Sequence, residues 1–189
     1  MIYSKFFSSA VVAVRLALGM KHDAVYAYYF GNSCFGYISL ISFFWDEVLY
    51  RQSREGVIEA GSTIALIGRY PSGELPHNAL SARTRGLIWM LGRSIRGRWD
   101  SVSSLGEAAP IGEFDYLSVI CTARRRRGHG DGTRLLEKLQ ADQRSIYLET
   151  ASFRNLDWYS RCGFTVTGVQ DLPSGPKIWT MMWQPRVGA

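Results

Sequence analysis

The sequence is poor in the residues that build metal centres and disulfide frameworks. Its three cysteines (Cys34, Cys121, Cys162) and three histidines (His22, His77, His129) are scattered. No Cys/His group has ligand spacing, so no metal is expected. An odd, widely spaced set of cysteines predicts free thiols and a reducing, cytoplasmic setting. Acidic residues are the minority, 16 against 22 Lys and Arg, and the net charge of +6 favours an anionic ligand. Repeats and low-complexity linkers are absent, so the 189 residues predict one domain, 1–189.

Uninterrupted hydrophobic spans are lacking too. The apolar run from Phe6 to Gly19 carries Arg15 inside it and is followed by no small-residue cleavage site. The stretch from Ala24 to Trp45 contains no charge and is long enough for a bilayer, but Gly31-Asn32-Ser33 reads as a turn in its middle. Two packed helices are predicted there, and no membrane association.

What remains is a regular alternation of elements. Ser9 to Lys21 reads as a helix capped by Ser8 or Ser9, and Phe35 to Ser53 as another, with Phe35, Ile38, Ile41, Trp45 and Leu49 at helical spacing. Gly56–Ala60 and Thr63–Gly68 form a hairpin signal around Gly61-Ser62. Tyr70–Pro76 and Ser101–Gly112 read as loops, and Leu80–Trp99 as a helix weakened by Gly86, Gly92 and Gly97. Tyr116–Thr122 is an apolar strand of the kind buried on both faces, followed by a glycine turn and a helix from Thr133 to Gln143. Strand Ile146–Glu149, helix Asn155–Arg161 and strands Phe164–Val169 and Ile178–Trp183 complete a mixed α/β (α+β) domain.

The chemistry concentrates at the strand, glycine turn and helix from Leu117 to Leu139. Glycines at 128, 130 and 132 let backbone amides approach a ligand without a Cβ between them. The first amides of the following helix point the same way, and its dipole favours an anion. Arg124 to Arg127 add positive charge beside the turn, whereas the cluster Arg83, Arg85, Arg93, Arg96 and Arg98 reads as a solvated face. No Gly-Lys-Ser/Thr follows, so this is not a P-loop of the nucleotide hydrolases. The last glycine of a dinucleotide fingerprint is also missing. A merely structural tight turn would use the same glycines.

The segment Arg127-x-x-Gly130-x-Gly132 followed by Thr133-Arg134-Leu135-Leu136 resembles the acetyl-CoA motif of the GCN5-related N-acetyltransferases, the GNAT family. A second match lies downstream: Tyr147-Leu148-Glu149-Thr150, then Asn155, then Trp158-Tyr159-Ser160-Arg161-Cys162-Gly163-Phe164. The ending from Val166 to Trp179, with Leu172-Pro173-Ser174-Gly175-Pro176, resembles the branch that includes puromycin N-acetyltransferase. The resemblance runs from Leu117 to Arg186 and is fainter over His22 to Asn32.

The resemblance implies a central, mostly antiparallel twisted sheet with a splayed parallel pair that binds acetyl-CoA, flanked by helices. Residues 1–112 would form the acceptor side and 113–189 the cofactor side. The family's first strand would be short, within Ile2–Phe6, or missing. The implied cofactor contacts are Arg127, Gly128, His129, Gly130, Asp131, Gly132 and Thr133 at the pyrophosphate, with backbone at Leu117 and Val119. Asn155 would hold the pantetheine arm or cap its helix. Tyr159 matches the family's general acid. A phenol near pKa 10 protonates a thiolate near 8.5 only uphill, so a hydrogen bond to the leaving sulfur describes it better. Glu149 or Glu59 would take the proton of the amine.

Aromatics on the first helices, Tyr26, Tyr29 and Phe30, would wall a pocket for a small amine. Asp131 departs from the family's aliphatic residue. Its carboxylate is expected to take the helix amides and repel phosphate. The implied activity is direct acetyl transfer from acetyl-CoA to a primary amine by a monomer or homodimer that binds no nucleic acid. A protein or peptide N-acetyltransferase, or an acyl-CoA-binding protein without turnover, would share the same cofactor features.

Overall fold

A computed structural model describes residues 2–54, 56–70, 80–92, 95, 98–99, 110 and 112–185, with side chains from Ser9 onward. Helices α1 (Ile2–Met20), α2 (Ala24–Phe30) and α3 (Cys34–Gln52) precede the hairpin β1 (Val57–Ala60) and β2 (Thr63–Tyr70). Then come α4 (Ala82–Met90), β3 (Phe114–Thr122), a 3-10 turn at Arg124–Arg126, α5 (Asp131–Gln140), β4 (Ile146–Thr150), α6 (Phe153–Arg161), β5 (Thr165–Asp171) and β6 (Lys177–Trp183). The strands form one six-stranded sheet in the order β1-β2-β3-β4-β6-β5. Among the described residues only β3 and β4 run parallel.

Of the two expectations for the N-terminus, the missing first strand is what is found: Ile2–Met20 is one helix, and no strand precedes Val57 among the described residues. Ser9 is therefore a helix interior residue, its hydroxyl donating to Gln52 Oε1 at 2.7 Å, and not a cap. The predicted turn at Gly31-Asn32-Ser33 separates α2 from α3. Asp23 accepts from the amides of Val25 and Tyr26 at the start of α2, and Ser33 from that of Gly36 at the start of α3. The helix expected over Leu80–Trp99 ends at Met90. Farther on, the Trp99 indole donates to Tyr29 O and Arg98 to Tyr28 O, closing the end of α2. Residues 71–76 and most of Ser101–Gly112, read as loops, lie outside the described residues, as do Arg93, Arg96 and Gly97. No helix among the described residues is long and apolar enough to cross a membrane.

The sheet has a core on each face. Val12, Leu16, Leu40, Phe44 and Val48 of α1 and α3 pack on Ile64, Leu66, Val119 and Ile178. Leu135, Leu136 and Leu139 of α5, with Tyr159 of α6, pack on Ala65, Leu117, Leu148 and Met181. Helix α3 does not bury the stripe the spacing suggested. Ile38 is exposed, and Ser39, Ser42, Glu47 and Arg51 face inward with Leu40, Phe44 and Val48. Some of the polar members find partners: Ser42 and Thr84 Oγ1 lie 2.7 Å apart, and Glu47 forms an ion pair with Arg51 one turn on, although Arg51 Nε and Nη1 make no hydrogen bond within the protein.

Candidate acetyl-transfer site

The two parallel strands part company almost at once. β3 and β4 pair only at Asp115↔Ile146 and Tyr116↔Tyr147. Beyond that point β3 stays on β2 up to Thr122 and β4 stays on β6 up to Thr150, so their facing edges splay apart. The register of β2 with β3 slips between Leu66 and Ile67, which places Ser118 in a bulge. The Ser118 hydroxyl holds Leu66 O at 3.2 Å. Residues two apart normally share a face. The bulge instead sends Leu117 into the core under α5 and Val119 into the core under α1 and α3, and it re-aims the backbone where the splay opens. Leu117 and Val119 side chains are thus core, and only their backbone faces the opening.

At the far end of β3 the glycine turn enters α5. Gly128 and Gly130 have φ of +82° and +79°, a region costly for any residue with a Cβ. Among the described hydrogen bonds, the amides of Gly128, Gly130, Asp131, Gly132 and Thr133 donate to no protein acceptor, while Arg134 N donates to Gly130 O. Such a run of free amides at the start of a ten-residue helix suits a phosphate. Gly132 serves a different end. A Cβ there would stand 3.2 Å from the Trp158 ring, so the glycine lets α5 approach α6 closely. The same seam is fixed by the Trp158 indole, which donates to Thr133 Oγ1 at 3.1 Å.

The basic run divides by task. Arg127 donates to Thr122 O and to Gly19 O, tying the end of α1 to the end of β3. Arg126 is held by Asp131, and Arg124 and Arg125 are exposed. His129 is exposed, with Nδ1 3.1 Å from Arg127 O. The expectation for Asp131 is corrected. Its carboxylate takes no helix amide. It accepts from Ser62 Oγ at 2.8 Å and from Arg126 Nε at 3.1 Å, and it pairs with Arg134. Those partners lower its pKa to about 2. They turn the side chain toward the β1–β2 turn and leave the amides free.

On α6 the cap is Ser152, which accepts from Asn155 N, so Asn155 is not the cap and its half-buried side chain is uncommitted. Tyr159 is buried between Trp158 and Phe164, and burial, then the charge of Asp23, raises its pKa. Glu59, the other expected base, is exposed and paired with Arg15 at 2.7 Å on the outer strand. Of the expected acceptor wall, Phe30 is 1% exposed among Phe43 and Trp99, and Tyr29 packs on Trp99. The Phe30 side chain is therefore part of the core. Tyr26, half-buried, is the member that reaches a polar environment.

That environment lies on the face of the sheet covered by α1 and α3, beside the opening. Glu149 and Tyr147 face it, since Ile146 and Leu148 alternate into the opposite core. Tyr147 donates to Glu149 Oε1 at 3.0 Å and Tyr116 to Oε2 at 3.5 Å. Burial pushes the Glu149 carboxyl up to about 7, against those two hydrogen bonds. Burial also raises Glu47, with Arg51 opposing, and raises Asp23 against the two amides it caps. Sequence reasoning missed Tyr116, Tyr147, Glu47 and Arg51. The available signal was a charged pair four residues apart on the stripe shared by Leu40, Phe44 and Val48.

No family model matches the sequence. Among solved structures, the fold matches a Corynebacterium glutamicum protein described as histone acetyltransferase HPA2 and related acetyltransferase. Identity is 19% over 98% of this chain and 94% of that one, with TM-score 0.68. It also matches arylalkylamine N-acetyltransferase 2 from Aedes aegypti, at 12% identity over 96% and 95% of the two chains and TM-score 0.57. A Desulfovibrio desulfuricans protein described as a candidate GNAT-family acetyltransferase aligns at 14% identity over 94% and 92%, with TM-score 0.52. The splayed parallel pair, the order of the elements and these likenesses together give the chain the GNAT acetyltransferase fold.

Proposed function

We propose that this protein transfers an acetyl group from acetyl-CoA to a primary amine of a small molecule, directly, with both bound at once. The observation that carries this reading is the ending of the β3–β4 ladder at Tyr116↔Tyr147, in line with a glycine turn whose amides are free. The residues fit the cofactor. The turn from Gly128 to Thr133 offers donors for a pyrophosphate, Arg124 and Arg125 offer exposed positive charge, and the open edge of β3 offers amides to a thioester and its pantetheine arm. Acetyl-CoA supplies an activated acyl group.

Glu149 binds the incoming ammonium and takes its proton. A carboxyl near pKa 7 is half ionised at neutral pH, which suits a general base. Tyr159 donates a hydrogen bond toward the departing sulfur. Its raised pKa puts full proton transfer out of reach at neutral pH and leaves hydrogen bonding as its contribution. Asn155 holds the pantetheine arm, and Tyr26 borders the acceptor amine. The C-terminal motif around Leu172-Pro173 supports kinship with the puromycin N-acetyltransferase branch. Release of free thiol from acetyl-CoA with a panel of alkyl- and arylalkylamines tests the activity. Release with at least one amine, lowered by about 10²–10⁴ with Glu149→Gln, is expected. Tight acetyl-CoA binding without release by any amine would overturn it.

A further inference from the structure

Arg51 has no place in the chemistry above, yet it is 3% exposed on the inward stripe of α3. A buried ion pair is often no better for folding than apolar side chains of the same size, so stability is a weak reason for its presence. We infer that Arg51, braced by Glu47, is a positioning residue that fixes the Tyr116 ring so that its hydroxyl stays on Glu149. The inference rests on the proposed role of Glu149 as the base.

The parts stack in order. Glu47 Oε2 lies 3.6 Å from Arg51 Nε, and both residues are buried. The guanidinium carbon is 5.9 Å from the centre of the Tyr116 ring, within cation–π range. Its Nη1 lies against Gly68, the residue across from Tyr116 in the β2–β3 register. A Cβ at Gly68 would run into that nitrogen and stand 2.9 Å from the Tyr70 hydroxyl, so the glycine makes room for the cation. On its far side Tyr116 reaches Glu149. Neither Nε nor Nη1 makes a hydrogen bond within the protein, so three of the five N–H donors of the guanidinium are not taken up by protein acceptors.

Charge explains why a cation matters here. The titratable groups around Tyr116 are Tyr26 from α2, with Asp23 behind it, Glu47 and Arg51 from α3, Tyr70 from β2, and Tyr147 and Glu149 from β4. Arg51 alone among them is positive. It makes the Tyr116 hydroxyl a better donor and so helps Glu149 lose its proton. Without it, Tyr116 is free to tilt and Glu149 holds its proton more tightly.

The test is carbon-13 NMR titration of the Glu149 carboxyl, assigned with Glu149→Gln, which needs no turnover. In the native protein it should titrate near 7. Tyr116→Phe should move it up by about half a pH unit, the scale of a long hydrogen bond to a charged group. Gly68→Ala removes no charge and no hydrogen bond and suits a strand better than glycine, so the fold should survive. It displaces Arg51 and should move the carboxyl in the same direction. Gly68→Ala combined with Tyr116→Phe should move it no further than Tyr116→Phe alone, because one link is cut twice. The paired variant Glu47→Gln/Arg51→Met should shift it likewise. A Glu149 titration unmoved by Gly68→Ala, or shifts that simply add, would overturn the inference. If the titrations behave as expected but kcat/KM does not break at the same pH, the geometry stands. The assignment of Glu149 as base is then what fails.

Discussion

Glu149→Gln is expected to move stability and activity in opposite directions. Burial holds the native carboxyl at about 7 against an ordinary 4.5. Between those values the unfolded chain gives up a proton that the folded protein keeps. Stability that is full below pH 4.5 is therefore lost progressively as pH rises, and the loss is complete above about 7. The gap between the two values, at about 1.4 kcal/mol per pH unit, sets the loss at about 3 kcal/mol. Glutamine carries no charge, keeps an oxygen to accept from one of the two tyrosines and offers its amide N–H to the hydroxyl oxygen of the other, so the variant escapes that loss. At pH 8.5 it should exceed the native protein by up to about 3 kcal/mol, or several degrees in Tm for a chain of this size. At pH 4 the two should converge.

Transfer should fall by about 10²–10⁴, the usual contribution of a general base. Urea unfolding at pH 4, 6 and 8.5, with an unchanged m value, reads the first effect, and steady-state thiol release reads the second. A variant no more stable than the native protein at pH 8.5 would refute the burial argument. A stabilised variant with unchanged turnover would move the base elsewhere.

Gly130→Val places a β-branched residue at φ +79° and should cost about 1–2 kcal/mol while weakening acetyl-CoA binding at least tenfold by calorimetry. Gly132→Glu should push Trp158 off α5 and set a carboxylate beside the free amides, abolishing binding. Tyr159→Phe should lower kcat more than it raises KM for acetyl-CoA, as expected of a bond that matters chiefly to the departing sulfur. An effect on KM alone would make it a binding residue. Asp131→Leu should lower Tm by freeing Ser62, Arg126 and Arg134, and the loss should shrink in high salt because both arginines are largely exposed. A Tm unchanged at low salt would contradict the latch described for it.

Local signals carried much of this fold. The Gly31-Asn32-Ser33 turn, the Gly61-Ser62 hairpin and the strand-turn-helix around Gly128 and Gly130 are set by neighbouring residues. Each is legible because left-handed backbone and capping need particular side chains at particular places. Asp131 was legible as an anomaly but not as a latch, since its partner Ser62 lies on another strand pair. The inward stripe of α3 was misread because two apolar stripes share that helix. The buried stripe is the one carrying Ser39, Ser42, Glu47 and Arg51, whose partners are long-range or one turn away. The Ser118 bulge left no local mark at all. It arises from register with β2, yet it helps aim the opening on which the site depends.

The most direct test of the account is calorimetric titration with acetyl-CoA, followed by coenzyme A release with the amine panel. The account predicts one acetyl-CoA per chain, binding weakened by Gly130→Val, and release that falls tenfold per pH unit below about 7. No acetyl-CoA binding by the folded protein would contradict it.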